Sequence, residues 1–153
     1  MEFQADLIYQ LFDCLGDIVF CVKDRENKYV YVNDAFAERS GVRDKREIIG
    51  RATADLFTED LAKAYMAQDE IVLRTGKALR DQIELIPQAD GTLGWYLTNK
   101  FPLCDDSGQV TAIVAASQDL RAPGDSELEL AELKNVLDYI NNNLGKPLTT
   151  EDL

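Results

Sequence analysis

No histidine occurs among the 153 residues. The side chain that most often serves as general base near neutral pH, zinc ligand or haem ligand is therefore missing. Cysteine is scarce as well. Cys14, Cys21 and Cys104 stand alone with no CxxC spacing, so no thiolate metal site or paired redox motif is encoded. Scattered thiols of this kind are expected to be buried small hydrophobes. Basic residues are few, 16 against 28 acidic, for a formal net charge of −12. A surface that negative repels phosphate backbones and anionic lipid. No apolar run approaches the roughly 20 residues of a membrane span, so no membrane partner is expected. The opening Met1-Glu2-Phe3-Gln4-Ala5-Asp6 lacks a basic start leading into an apolar stretch, and a cytoplasmic location is expected. No motif pairs two carboxylates or sets a nucleophile beside a base, so the chain is not expected to be an enzyme.

What is present suits a folded domain with an appendage. Hydrophobic residues make up 46%, enough for a real core. Residues 3–15 place Phe3, Leu7, Ile8, Leu11, Phe12 and Leu15 on one side of a helix that Gly16 stops. Strands are predicted over 18–23 and 28–32, and Asn33 is a good N-cap for a short helix to Arg39. Irregular helical turns follow over 44–57. A longer helix over 59–74 carries Leu61, Tyr65, Met66 and Val72 roughly on one stripe, and Gly76 ends it. Strands over 79–86, 93–104 and 109–119 complete the order, with Asp90-Gly91 as a hairpin signal between the first two. Runs of strands separated by a helical block indicate an α+β class with an antiparallel sheet.

Three stretches together resemble a PAS domain: DIVFCVKD at 17–24 continuing through KYVYVNDAF at 28–36, DGTLGWYLTNKFP at 90–102, and GQVTAIVAASQDLR at 108–121. Asp119 keeps the aspartate of the Asp-Ile-Thr ending common in that family, while Leu120-Arg121 departs from it. The resemblance implies a PAS fold, a five-stranded antiparallel sheet with a helical lid, flanked by an N-terminal amphipathic helix and a C-terminal helix. It divides the chain into a flanking helix at 1–16, the PAS domain at 17–121 and a connecting helix at 122–132. Residues 133–153, LKNVLDYINNNLGKPLTTEDL, resemble the opening of an AraC-type helix-turn-helix DNA-binding domain. The recognition helices do not follow, so the chain is expected to be cut just inside that domain, and DNA binding is expected only through the missing part. Leu130, Leu133, Leu137, Ile140 and Leu144 also follow heptad spacing. They read as a connecting helix, a short coiled coil or the core face of that domain.

The resemblance also implies a pocket between sheet and lid. Haem-binding relatives use a histidine, and photoactive flavin relatives a cysteine in a segment that here reads RATADLF at 51–57. Neither cofactor is expected. A small polar metabolite or an empty pocket remains. Alternation alone buries Trp95, Leu97, Asn99, Phe101 and Leu103, whereas the resemblance turns Tyr96, Thr98 and Lys100 inward. With the latter parity, the candidate pocket residues are Cys21, Phe36, Met66, Glu84, Ile86, Tyr96, Thr98, Lys100, Ile113 and Ser117. A hairpin centred on Gly91 would set Ile86 opposite Tyr96, Glu84 opposite Thr98 and Gln82 opposite Lys100. Buried polar groups left unpaired cost about 1–3 kcal/mol each, which argues for a polar ligand or water. The plainer reading pairs Glu84 with Lys100 at the sheet edge, and Phe36 and Met66 as ordinary core. Leu7, Leu11, Leu97 and Phe101 are candidates for an outer face covered by a homodimer partner, and Asp119 and Arg121 for the signal exit. Two functions follow as expectations: a ligand-sensing domain coupled to DNA binding, or a ligand-free dimerisation module.

Overall fold

β-Branched and aromatic residues bounded by turn formers dictate the strands, and the structure, a computed structural model, describes them within residues 5–121. Helix α1 (Ala5–Asp13) leads to β1 (Ile18–Asp24) and β2 (Tyr29–Val32), then to α2 (Asp34–Arg39). Two short 3-10 turns, Lys45–Glu47 and Thr53–Asp55, precede α3 (Glu59–Thr75). Strands β3 (Leu79–Pro87), β4 (Leu93–Cys104) and β5 (Val110–Asp119) follow. The sheet runs β2-β1-β5-β4-β3 with every neighbouring pair antiparallel. The fold is α+β, five strands with a helical lid.

Each helix ends for a local reason. Asn33 caps α2 by accepting from the Phe36 amide at 3.0 Å. Gly76 closes α3 in the left-handed region, φ 63°, where a side chain would be strained. On α1, Phe12 stacks on Phe20 of β1 and Tyr9 on Tyr31 of β2, with centroids 3.9 and 3.8 Å apart. That pairing uses the side of α1 opposite Leu7 and Leu11, which are 64% and 60% exposed. The helix therefore covers the β1–β2 part of the outer face. Phe101 of β4 stays exposed under the Arg80 guanidinium, 4.8 Å from its ring, and Leu97 is half-buried.

The β3–β4 register corrects the expected one. Glu84 lies opposite Tyr96, Ile86 opposite Gly94 and Gln82 opposite Thr98. Gln88 and Thr92 close a three-residue loop in which Gly91, at φ 83°, takes the left-handed position. The hairpin is thus centred on Asp90, because that glycine ends the turn instead of sitting at its apex. The slip is two residues, an even number, so no side chain changes face. Farther along β3 a bulge between Leu79 and Gln82 restores pairing of Leu79 with Lys100.

On β4 the inward residues are Gly94, Tyr96, Thr98 and Lys100, all buried. Simple alternation, which buried Trp95 and Phe101, fails here because the lid supplies polar partners for an unusually polar inner face. The chain divides into a unit at 1–120 and another at 121–153. The readings for 122–132 and 133–153 lie outside the described residues. Among the described residues no helix is long and apolar enough to cross a membrane.

Candidate ligand-binding cavity

Three charged side chains meet between sheet and lid. Lys23 projects from β1, Lys100 from β4, and Asp69 from α3 on the stripe Ala62, Tyr65, Asp69, Val72 that the helix buries. Asp69 is 1% exposed and both lysines 4%. Its Oδ2 accepts from Lys23 Nζ at 2.6 Å and its Oδ1 from Lys100 Nζ at 2.7 Å. Lys23 also donates to Thr53 Oγ1 at 2.8 Å, and Lys100 to the Tyr65 carbonyl at 3.3 Å. Charges this deep survive only when paired and hydrogen-bonded. The Lys23 ammonium further sits 4.9 Å from the centroid of the Tyr29 ring.

A cavity of about 50 Å³ opens beside this cluster, room for a few water-sized positions by the usual measure of about 10–15 Å³ each. Its apolar wall is an edge-to-face chain of rings, Tyr29, Phe36, Phe57 and Tyr65, with centroids 5.0, 6.2 and 5.2 Å apart in turn. Tyr65 holds its place by donating to the Leu85 carbonyl of β3. Thr98 donates to Ser117 Oγ across β4 and β5 at 2.7 Å. Burial pushes the Cys21 thiol up to about 11, so that cavity-lining sulfur stays protonated and unreactive.

Glu84 reaches the same cavity from β3. Its Oε1 is buried without a hydrogen-bond partner among the described residues. Burial raises its carboxyl above the ordinary value of 4.5, against the opposing pull of the Lys100 charge. An acid whose folded value lies above its unfolded one binds more protons when folded, so stability falls as pH rises through that window. Wild-type urea midpoints are expected to decline from the ordinary carboxyl range toward neutral pH, and E84Q to flatten that decline. Equal slopes in the two proteins would contradict it. Asp13 titrates elsewhere. Burial tends to raise its carboxyl, but Lys45 and other hydrogen-bonding neighbours outweigh burial and hold it below 3.8, so its stabilisation is lost only as pH falls lower.

A second network joins the cavity to the end of β5. Arg39 lines the cavity from α2. It donates through Nε to the Tyr96 hydroxyl at 2.6 Å and through Nη2 to the Gly16 carbonyl at 3.0 Å. Tyr96 accepts from Gln88 at 2.9 Å and donates to Asp119 Oδ2 at 3.2 Å. The Asp119 amide donates to the Asp17 carbonyl at 2.9 Å. Both ends of the sheet domain are thus tied at Arg39 and Tyr96. Arg121 is exposed in the turn beyond.

The structure brings Cys21, Phe36, Glu84, Ile86, Thr98, Lys100, Ile113 and Ser117 around the cavity. Two candidates fall elsewhere. Met66 is 39% exposed on the far side of α3, because Ala62, Tyr65, Asp69 and Val72 form the face the helix buries. Tyr96 is fully buried in the core, with its hydroxyl in the Arg39 network in place of the cavity wall. Lys100 pairs with Asp69, not with Glu84 as the plainer reading had it. Lys23, Asp69 and Arg39 escaped the sequence reading altogether. The detectable signal was Asp69 falling at i+4 from Tyr65 and i−3 from Val72 on an otherwise apolar stripe.

A family model described as PAS fold matches residues 12–123. No protein of curated function matches the sequence. Among solved structures, the Vibrio cholerae VqmA dimer without target DNA, described as a LuxR-type receptor, is 26% identical. It aligns with TM-score 0.65 over 78% of this chain and 52% of that one. VqmA from Vibrio cholerae in a ligand–DNA complex is 24% identical, with TM-score 0.67 over 97% of this chain and 61% of that one. VqmA bound to DPO is 22% identical, with TM-score 0.68 over 94% and 72%. The chain spans between half and two thirds of the length of the first two.

Proposed function

Because the chain belongs to the PAS fold family, we propose that it is the sensory part of a DNA-binding transcription regulator, a binding module and not an enzyme. A small polar molecule enters the cavity beside Lys100 and biases the Asp119 exit toward one arrangement. The observation that carries this reading is the buried Lys23–Asp69–Lys100 cluster facing a cavity with an aromatic wall. A domain built only to pack would favour apolar residues at those positions. The likeness to VqmA supports the reading, since that protein has been seen with DPO and with ligand and DNA together. DNA contact is assigned to the part beyond the described residues, for which the sequence at 133–153 suggests an AraC-type domain. The chain itself acts as a homodimer in the cytoplasm.

Native mass spectrometry of the purified chain, followed by thermal melts with DPO, tests this. Either a non-covalent mass per protomer or a melting rise of several degrees at saturating DPO is expected, and K100M is expected to abolish it. At a hundredfold excess over Kd, binding adds about 2.7 kcal/mol. A chain that retains nothing and ignores DPO supports a second reading, a ligand-free dimerisation module built on the outward Leu7 and Leu11.

A further inference from the structure

Of the polar side chains that line the cavity, Glu84 alone keeps a buried atom without a partner among the described residues. The lysines do not answer it. Each ammonium has three N–H donors, and each is engaged by two acceptors: Thr53 and Asp69 for Lys23, Tyr65 and Asp69 for Lys100. Lys100 thus keeps one N–H without an acceptor, that of Lys23 has only the Tyr29 ring 4.9 Å away, and Glu84 Oε1 has no donor, all on side chains that line the same cavity. The formal charges of Lys23, Lys100, Asp69 and Glu84 cancel, and that of Arg39, also on the wall, is met by Asp119 at 3.8 Å. An anion entering would meet the Glu84 carboxylate and a cation the two ammonium groups, so the balanced occupant is neutral.

We propose that Glu84 is the specificity-determining residue of the cavity, selecting neutral ligands that carry an N–H or O–H donor beside the acceptor taken by Lys100. The matching chemical class presents donor and acceptor on one short edge, as lactams, cyclic ureas and hydroxy-carbonyl compounds do. An acceptor-only molecule of the same shape leaves Glu84 unpaired and is rejected, because a site built to bond a donor penalises its absence. The proposal rests on the cavity being a ligand site and adds which ligands it admits. It also explains why a carboxylate held by Thr98 keeps its Oε1 unpartnered in a folded domain: binding completes the set that folding leaves open.

The test uses the full chain with two small probes, 2-pyrrolidinone, which has both donor and acceptor, and N-methyl-2-pyrrolidinone, which has the acceptor only. Amide NMR signals of Thr98, Lys100 and Ser117 report binding. The wild type is expected to prefer the first by about tenfold. E84Q, whose amide can turn either way, is expected to bring the ratio toward unity. Without any probe, E84M is expected to melt above the wild type, since it removes a buried carboxylate with an unpartnered oxygen whose burial outweighs the pull of Lys100 and Thr98; a residue that merely holds the fold together would do the reverse. Equal affinities in the wild type, an unchanged preference in E84Q, or a lower melting temperature in E84M each overturn the role of Glu84 while leaving the cavity reading intact. Binding of neither lactam overturns the cavity reading and this inference with it.

Discussion

Asp69→Asn is expected to destabilise the domain by about 3–5 kcal/mol, the penalty for leaving buried charge uncompensated. The aspartate is the shared counter-ion of two ammonium groups 2.6 and 2.7 Å away. An asparagine can offer its oxygen to one of them but turns an NH2 toward the other. Lys100→Met is expected to cost much less, because Asp69 keeps Lys23 and the ion pair remains whole. Replacing Lys23, Asp69 and Lys100 together with apolar residues is expected to fall near the wild type or above it, since desolvation and pairing nearly cancel in a complete buried cluster. Equilibrium urea unfolding of the three variants checks this ordering. If D69N proves no less stable than K100M, the cluster is not the electrostatic centre of the lid. The comparison also separates stability from binding: an apolar triple variant that folds well and no longer takes a ligand would show that the charges serve the cavity, not the fold.

The other large effect is expected at Asn33. Its side chain is fully buried and uses all four of its hydrogen-bonding positions. Oδ1 accepts from the amides of Phe20 and Phe36, both at 3.0 Å. Nδ2 donates to the carbonyls of Phe12 at 2.9 Å and Ile18 at 2.8 Å. Asn33→Ala removes the cap of α2 and orphans backbone groups on β1, while the Phe12 carbonyl at the end of α1 keeps the Leu15 amide at 3.2 Å. A lost cap costs about 1 kcal/mol and each buried orphan about 1–3 more, so a total of about 3 kcal/mol or above is expected. Asn33→Asp divides the effect. It keeps both acceptor bonds but sets a carboxylate oxygen against two carbonyls. Amide exchange at 5–13 is then expected to accelerate while the Phe36 amide stays protected. Unchanged exchange at both would show that Asn33 acts only through the cap, and acceleration of both would show that the two halves of its network do not separate.

Much of the fold was legible because its signals are local. Gly16, Gly76 and the Asp90-Gly91 pair mark ends and turns by what their backbones permit, and the runs at 18–23 and 109–119 are strand-forming by side-chain shape. Asn33 was readable as a cap, since a cap is defined by the next three residues. Its bonds to Phe12 and Ile18 were not, because the Phe12 carbonyl reaches it only when α1 folds back over the sheet and the Ile18 carbonyl only when β1 and β2 pair. The resemblance placed Thr98 and Lys100 inward where alternation alone pointed outward. Periodicity measures hydrophobicity, and this inner face is polar.

Composition, turn chemistry and strand order therefore determined an α+β sheet domain without histidine chemistry, and the order of three motifs carried the family. Only the tertiary structure decided which charges meet. Asp69 stands 46 residues from Lys23 and 31 from Lys100, and on its own helix it reads as a solvated acid. Packing the lid against the sheet takes all three out of water at once. In that low-dielectric space an ion pair must be completed within hydrogen-bond distance, and a carboxylate oxygen such as Glu84 Oε1, left without a donor, becomes a demand on whatever enters.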